Sequence, residues 1–468
     1  MEKRVHLIGI GGTGLSAIAR VLLESGSRVS GSDRALSPLA QALQEAGATI
    51  HIGHRAENVQ GADLVVRSSA IPDDNVEVQA AQAAGIPVLK RSDFLGQLMV
   101  DHFAIAVAGS HGKTTTTAMI AWMLSALGQD PSYIIGGVSA NLGANAHAGG
   151  GKAFVIEADE YDRMFLGLQP NLAVVTNVEH DHPDCFPTEQ GFYQAFLDFT
   201  GRLAQGGTLL GCADDPGAAR LLADAKRQGK RSLAYGLRTT HHDYCARNLR
   251  SNKTGGYTFD VVWSQPPSTA VLCPAVKLQV PGEHNVLNAL AALAVAHQMS
   301  LPVEQASRTL EAFRGTGRRF ELRGEAQGVT VIDDYGHHPT EIRATLQAAQ
   351  ARYPGRPLWA VWQPHTYSRT RTLLDAFAQA FDQADCVLIT DIYAARESAP
   401  QDGFSARQVV SAMRHPEVHY TPDLAQATGY LLARLQPGVV LLVLSAGDAD
   451  QISTHVLAAL QERRNGNG

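Results

Sequence analysis

With 468 residues, the chain is about three times the ~150 residues of an average domain, which predicts two to four domains. A hydrophobic share of 45% excludes wholesale disorder, and Lys+Arg 39 against Asp+Glu 45, a net charge of −6, argues against a protein that coats nucleic acid. The longest aliphatic run, residues 439–444, is far short of the ~20 residues that span a bilayer, and five scattered cysteines with no CxxC pattern fit reduced thiols. The N-terminus reads straight into a strand without a signal segment, so the expectation is a cytoplasmic protein with no membrane insertion and no nucleic-acid partner.

Short apolar runs then alternate with helical patterns, which predicts parallel α/β layers. The first stretch has strands near 5–9, 29–33, 63–66 and 87–89. Between the first two lies Gly9-Ile10-Gly11-Gly12-Thr13-Gly14, which fits GxGxxG, and Asp33 ends the next strand 19 residues beyond Gly14. Glycines let a phosphate approach the backbone, while the following helix offers its N-terminal N–H groups and dipole. Taken alone, the motif reads as a dinucleotide site, and hence an NAD-dependent oxidoreductase, or as a tight turn without a ligand.

The alternation starts afresh at 103–109, with further strands at 153–157 and 172–176 and a turn-rich, antiparallel-looking part at about 235–280. Gly109-Ser110-His111-Gly112-Lys113-Thr114-Thr115 sits between the first of these strands and a helix running to about Leu127. It is a shortened phosphate loop. Its backbone N–H groups cradle phosphates, Lys113 reaches the β/γ oxygens and Thr114 is placed to ligate Mg²⁺, which predicts ATP binding. Two acidic clusters, Glu157-Ala158-Asp159-Glu160-Tyr161-Asp162 and Asn177-Val178-Glu179-His180-Asp181-His182, follow successive strands, where ligands of Mg²⁺ would collect. His241 and His242 read as ordinary buried or solvated histidines.

A third start follows Gly315-Thr316-Gly317, with strands at 329–333, 358–362, 387–390 and 439–444. The expected domains are therefore 1–98, 99–316 and 317–468, with only the last six residues unstructured. The fold class is α/β in three domains: a Rossmann-like N-terminal domain, a central phosphate-loop ATPase-type domain and a Rossmann-like C-terminal domain.

In their order, these motifs resemble the Mur ligase family, the ATP-dependent amide-forming enzymes of peptidoglycan synthesis. The resemblance covers nearly the whole chain. Besides the two glycine loops and Glu157-Ala158-Asp159-Glu160, it rests on Ser68-Ser69-Ala70-Ile71, Gly282-Glu283-His284-Asn285-Val286-Leu287-Asn288, Arg318-Arg319-Phe320, Asp333-Asp334-Tyr335-Gly336-His337-His338-Pro339-Thr340-Glu341 and Ala446-Gly447-Asp448. It implies three domains, for UDP sugar, ATP and amino acid, and it replaces the NAD reading. Gly11, Gly12, Thr13, Gly14, Ser16, Asp33, Ser69 and Ala70 would then hold the UDP sugar.

The implied reaction joins L-alanine to the lactyl carboxylate of UDP-N-acetylmuramate through an acyl phosphate, releasing ADP and phosphate. The resemblance gives Lys113 the β/γ-phosphate charge, Thr114 with Glu157 one Mg²⁺, and His182 a second. It gives His284, Asn285 and Asn288 the adenine, Arg319 an ATP phosphate, Asp334 the ribose, and His337 with Arg369 the alanine. Two departures stand out: Thr366 where many relatives have a second arginine, and Tyr161 where a small residue is usual. The helix after His182 has no lysine, which favours the alanine-adding branch over those that carry a carbamoylated one. A recycling ligase that adds a preformed tripeptide is the nearest rival, and a non-catalytic ATP-binding regulator is another. A monomer or homodimer is expected.

Overall fold

The structure, a computed structural model, describes residues 3–238, 242–265 and 268–466. His241 lies outside them, and His242 stands 3.6 Å from Asp214. Residues 463–466 depart from the expected unstructured tail, because the helix Asp450–Gly466 runs through them; residues 467 and 468 lie outside the described ones.

Three sheets form, one for each restart of the alternating pattern. The first has five parallel strands in the order Thr49–Ile52, Arg28–Asp33, Arg4–Ile8, Leu64–Arg67, Val88–Lys90. The chain builds outward on one side of Arg4–Ile8 and then reverses to the other. That reversal opens a crevice at the carboxyl ends of Arg4–Ile8 and Leu64–Arg67, where the first glycine turn lies. Thr49–Ile52 was not anticipated: it is a short edge strand without an apolar run.

The second sheet has ten strands, and Phe103–Ala108 lies between Ala153–Glu157 and Leu172–Val175. The loops after these three neighbouring strands therefore share one crevice. The expected antiparallel part is present as Tyr244–Ser251, Tyr257–Gln265 and Ser268–Lys277. In the third sheet, Val329–Asp334, Val440–Ser445 and Leu358–Gln363 are parallel neighbours, so the loops after residues 334, 363 and 445 meet.

The two domain junctions differ in chemistry. One apolar cluster runs unbroken from Val5 and Ile18 through Phe94, Leu95 and Met99 into Phe165, Phe192, Phe196 and Phe199 of the central domain. Burial of that kind is worth about 25 cal/mol per Å² and resists separation. Among the described residues, no buried apolar cluster joins the central to the third domain; their contacts are charged or polar.

Beneath the first crevice lies Glu77, which the sequence did not flag and which is fully buried. It accepts hydrogen bonds from Ser32 Oγ and Asn58 Nδ2, and His54 Nδ1 lies 3.1 Å away. Burial alone would raise its pKa, but His6, Ser32, Asn58 and His54 together hold it at about 2. The ionised carboxylate therefore stabilises the fold above about pH 4.5, and that contribution is lost as pH falls through about 2. Glu77→Gln should lower the urea midpoint at pH 7, and the gap from wild type should close as pH falls from 4.5 towards 2. A gap that stayed constant with pH would contradict the role of this charge.

Candidate active site

At the first crevice, Gly9 N and Ile10 N both donate to Ser32 O, and Gly11 N donates to Asp33 Oδ2 at 2.8 Å. Asp33 thus braces the glycine turn itself. The helix Thr13–Glu24 follows, with Gly12 as its N-cap and no side chain closing its first N–H groups. Ser16 is buried and bonds back to Thr13 O, while Ser69 and Ala70 stay exposed on the facing loop. Gly11, Gly12, Thr13, Gly14, Ser16, Asp33, Ser69 and Ala70 thus all lie on the strand ends, loops and helix start at the carboxyl edge of this sheet.

The second loop is pinned from behind. Thr176 Oγ1 donates to His111 O at 2.6 Å, His111 N to Asn177 Oδ1 at 2.8 Å, and Ser110 Oγ to Glu179 O at 2.6 Å. Gly109 has φ +141°, and a Cβ there would lie 2.0 Å from Thr176 Oγ1, so only glycine fits. The Lys113 ammonium turns onto Gly109 O at 2.6 Å and onto both Glu160 oxygens at 2.8–2.9 Å. Burial would lower its pKa, but Glu160, Asp159 and Glu157 outweigh that and raise it.

Thr114 Oγ1 donates to Glu157 Oε1 at 3.0 Å, and Gly136 N holds the other Glu157 oxygen at 2.7 Å. Burial raises the pKa of Glu157 and Asp159, as expected of carboxylates gathered without enough positive charge. His182 Nε2 lies 3.6 Å from Glu160 Oε1, on a backbone with φ 55°, a conformation costing about 1–3 kcal/mol in a non-glycine residue. A hydroxyl, several carboxylates and one imidazole around a phosphate loop suit a hard divalent cation such as Mg²⁺.

A cavity opens between this loop, the start of the helix Glu283–Gln298 and the segment after Gly315, with Thr115, His284, Asn285, Asn288, Arg319 and Asp334 on its walls. Asn288 is fixed by Thr116 Oγ1 and Asn285, and burial pushes His284 down to about 4, so its ring is neutral. Asp334 is buried and raised to about 6, with Arg319 pulling the other way; its oxygens brace Phe320 N and Gly336 N. Arg319 lies over the Tyr335 ring at 4.8 Å and 3.4 Å from Glu341.

The third domain closes over this cavity. Arg369 is buried, and its Nε donates to Asp181 Oδ1 at 2.6 Å, while its two other nitrogens stand 3.0 Å from His365 Nδ1 and 3.3 Å from His182 Nδ1. Asp181, grouped with the metal-ligand candidates in sequence, is here the counter-charge of Arg369, which also explains its depressed pKa. His337 joins the same carboxylate at 3.8 Å. His111 is clasped between Glu179 at 3.1 Å and Glu341 at 3.3 Å, one from each domain; against the cost of burial, these raise it to about 10.

The two departures also find places. Thr366 adopts φ 66° and makes no side-chain cap for the helix Tyr367–Thr372; Glu397 instead accepts from Tyr367 N and Ser368 N. The Tyr161 hydroxyl donates to Asp184, which also holds Arg396 at 2.8 Å, and Arg396 stacks 4.1 Å from the Tyr161 ring. Arg396 and Glu397 had no sequence signal, because lone charged residues in a loop look like solvated surface.

Comparison with known proteins agrees along the chain. Models described as "Mur ligase family, catalytic domain", "Mur ligase middle domain" and "Mur ligase, glutamate ligase domain" match residues 4–103, 107–296 and 318–447. A UDP-N-acetylmuramate–L-alanine ligase of Roseiflexus sp. (strain RS-1) is 44% identical over 98% of this chain and 99% of its own. The crystal structure of the UDP-N-acetylmuramate–alanine ligase of Thermotoga maritima superposes with a TM-score of 0.78 at 27% identity, covering 98% of this chain and 99% of that one. A murein peptide ligase from Psychrobacter arcticus 273-4 gives 0.71 at 27% identity, covering 98% of each chain.

Removing one member of a buried ion pair costs about 3–5 kcal/mol when the other stays buried. The chain can escape that cost by parting the domains and hydrating Arg369. Asp181→Ala is therefore expected to enlarge the radius of gyration in solution scattering with little change in melting temperature. Unchanged scattering would show that Asp181 does not hold the cleft shut.

Proposed function

The chain belongs to the Mur ligase family, and we propose that it is the ATP-dependent ligase that joins L-alanine to the lactyl carboxylate of UDP-N-acetylmuramate. The observation behind this reading is the position of Arg369, whose guanidinium reaches His182 and Asp181 across the cleft, while the far nitrogen of His182 stands 3.6 Å from Glu160, the partner of Lys113. Such a site brings an amine and an activated carboxylate together beside a phosphate loop, which is the main requirement of this chemistry.

A free carboxylate is a poor electrophile, so the lactyl carboxylate first attacks the γ-phosphate of ATP, breaking its bond to the β-phosphate oxygen, to give an acyl phosphate and ADP. Lys113 and Arg319 offset the charge that develops on the transferred group. Thr114, Glu157 and His182 are the residues that would hold Mg²⁺, which supplies further charge neutralisation when bound. The neutral alanine amine then attacks the acyl carbon, and the C–O bond to phosphate breaks, phosphate leaving with the proton that the amine gives up. Arg369 offers its guanidinium to the alanine carboxylate, oriented by Asp181, while His337 lies on the other side of that same aspartate. His365 is held near 3 by burial and by neighbouring His337 and Arg369, so it accepts a hydrogen bond from Arg369 without adding charge.

Lys113 belongs to the second glycine loop, with Gly109, Ser110 and Glu160 as its partners, and serves that crevice only. Lys113→Ala should reduce turnover at least about a thousandfold, with UDP-N-acetylmuramate affinity nearly unchanged in calorimetry; near-normal turnover would remove its assigned role. The decisive assay offers UDP-N-acetylmuramate and ATP with a panel of amino acids and the L-alanyl-γ-D-glutamyl-meso-diaminopimelate tripeptide. Phosphate release is expected with L-alanine. Release with the tripeptide alone would make the chain a recycling ligase.

A further inference from the structure

Tyr161, the residue after Glu160, belongs to none of the apolar clusters among the described residues and stays half-buried at the rim of the cleft. It is nevertheless held on three sides. Its hydroxyl donates to Asp184 Oδ2 at 3.1 Å, the Arg396 guanidinium of the third domain lies 4.1 Å from the ring centre, and the His182 imidazole meets the ring edge-to-face at 5.1 Å. Arg396 closes the triangle, with Nε and Nη2 donating to the same Asp184 oxygen at 3.1 and 2.8 Å. The backbone that presents these groups is bent: Asp162, Arg163 and His182 have φ of 53°, 52° and 55°, in the left-handed region that favours glycine.

The main chain of His182 is fixed by its neighbours: its N–H donates to Asp181 Oδ1 at 2.7 Å, and its carbonyl accepts from Cys185 N and Phe186 N. The ring is held more loosely. Nδ1 stands 3.3 Å from Arg369, and Nε2 stands 3.6 Å from Glu160 and 3.8 Å from Asp181, so none of these contacts is short enough to set the ring plane. Packing against Tyr161 sets it, through an edge-to-face contact that leaves both nitrogens to other partners. We propose that Tyr161 is a positioning residue, which Arg396 clamps when the third domain closes and which then fixes the His182 imidazole between Glu160 and Arg369. The inference deepens the ligase reading and rests on it. Two arginines of the third domain converge on one imidazole, Arg369 directly and Arg396 through the Tyr161 ring. When that domain withdraws, both leave together and the ring is released. Phosphate transfer to the lactyl carboxylate is in this way tied to the presence of the domain that brings the amine.

The test is a double-variant cycle of Arg396→Gln and Tyr161→Leu with two readouts. One is the kinetics of L-alanine-dependent phosphate release. The other is the His182 ring signals of 15N-histidine-labelled protein carrying UDP-N-acetylmuramate and a non-hydrolysable ATP analogue, assigned with His182→Gln. Arg396 is half exposed, so its variants leave the core intact. Each single variant should lower kcat about 3- to 30-fold, the worth of one cation–π or aromatic contact, with the KM for UDP-N-acetylmuramate within about twofold of wild type. The double variant should be no slower than the slower single one. Arg396→Gln should shift the His182 signals in the wild-type background and not in the Tyr161→Leu background. Arg396→Lys, which keeps a cation over the ring, should restore most of the rate. Losses that multiply in the double variant, or His182 signals indifferent to Arg396, would show that the two residues act separately and overturn the proposal. A KM raised for all three substrates alongside a lowered melting temperature would make Tyr161 a structural prop and overturn it as well. Wild-type protein that released no phosphate with L-alanine would overturn the ligase reading itself, and this proposal with it.

Discussion

Charge buried between the central and third domains is the constraint on which the rest of this molecule depends. Lys113, His111 and Arg369 are largely withdrawn from water at one place, together with Glu160, Asp181 and Glu341, while Arg319, Asp159 and Glu179 line its edge. No isolated member could stay ionised there, since desolvating one charge costs several kcal/mol. The arrangement persists only because each cation meets a carboxylate from another segment: Lys113 meets Glu160, Arg369 meets Asp181, and His111 and Arg319 share Glu341. The crossing order of the strands exists to bring those loops together. Two of the carboxylates, Glu157 and Asp159, keep raised pKa values even so, the signature of a site built to receive more positive charge.

The same constraint sets the mechanics. An apolar junction such as that between the first two domains loses stability whenever it opens, because water gains nothing from its surfaces. A charged junction behaves differently: opening exchanges ion pairs for hydration at a small net cost. The central and third domains are joined in this second way, by Arg369–Asp181, His111–Glu341, Arg396–Asp184 and Thr340–Glu179. A ligase whose substrates must enter and whose product must leave needs one hinge that yields. Here the polarity of the contacts identifies it.

The two departures from the family pattern illustrate how such a junction is assembled. Thr366 leaves the short helix carrying Arg369 without a side-chain cap, and Glu397 provides one from a neighbouring loop. Tyr161 gives the adjacent Arg396 a flat surface and shares Asp184 with it. One dipeptide, Arg396-Glu397, thus orders the helix that bears Arg369 and also ties the third domain to the central one.

Much of this was legible in the sequence, for a physical reason. A strand, a glycine turn and the start of a helix are local, so Gly9 to Gly14 and Gly109 to Thr115 announce phosphate loops wherever the chain puts them. The strand alternation likewise declares three α/β layers. Short edge strands such as Thr49–Ile52 escaped notice because they lack an apolar run. What the sequence could not determine is which acid meets which cation. Asp181 pairs with a residue 188 positions away and Lys113 with one 47 away, while Arg91 meets Met164 73 positions on. Glu77, Arg91, Arg396 and Glu397 are, in one dimension, ordinary charged residues. Only the tertiary structure removes their water and leaves each to find its compensation in a particular neighbour, because the energy of a charge depends on its surroundings in space and hardly at all on its position along the chain.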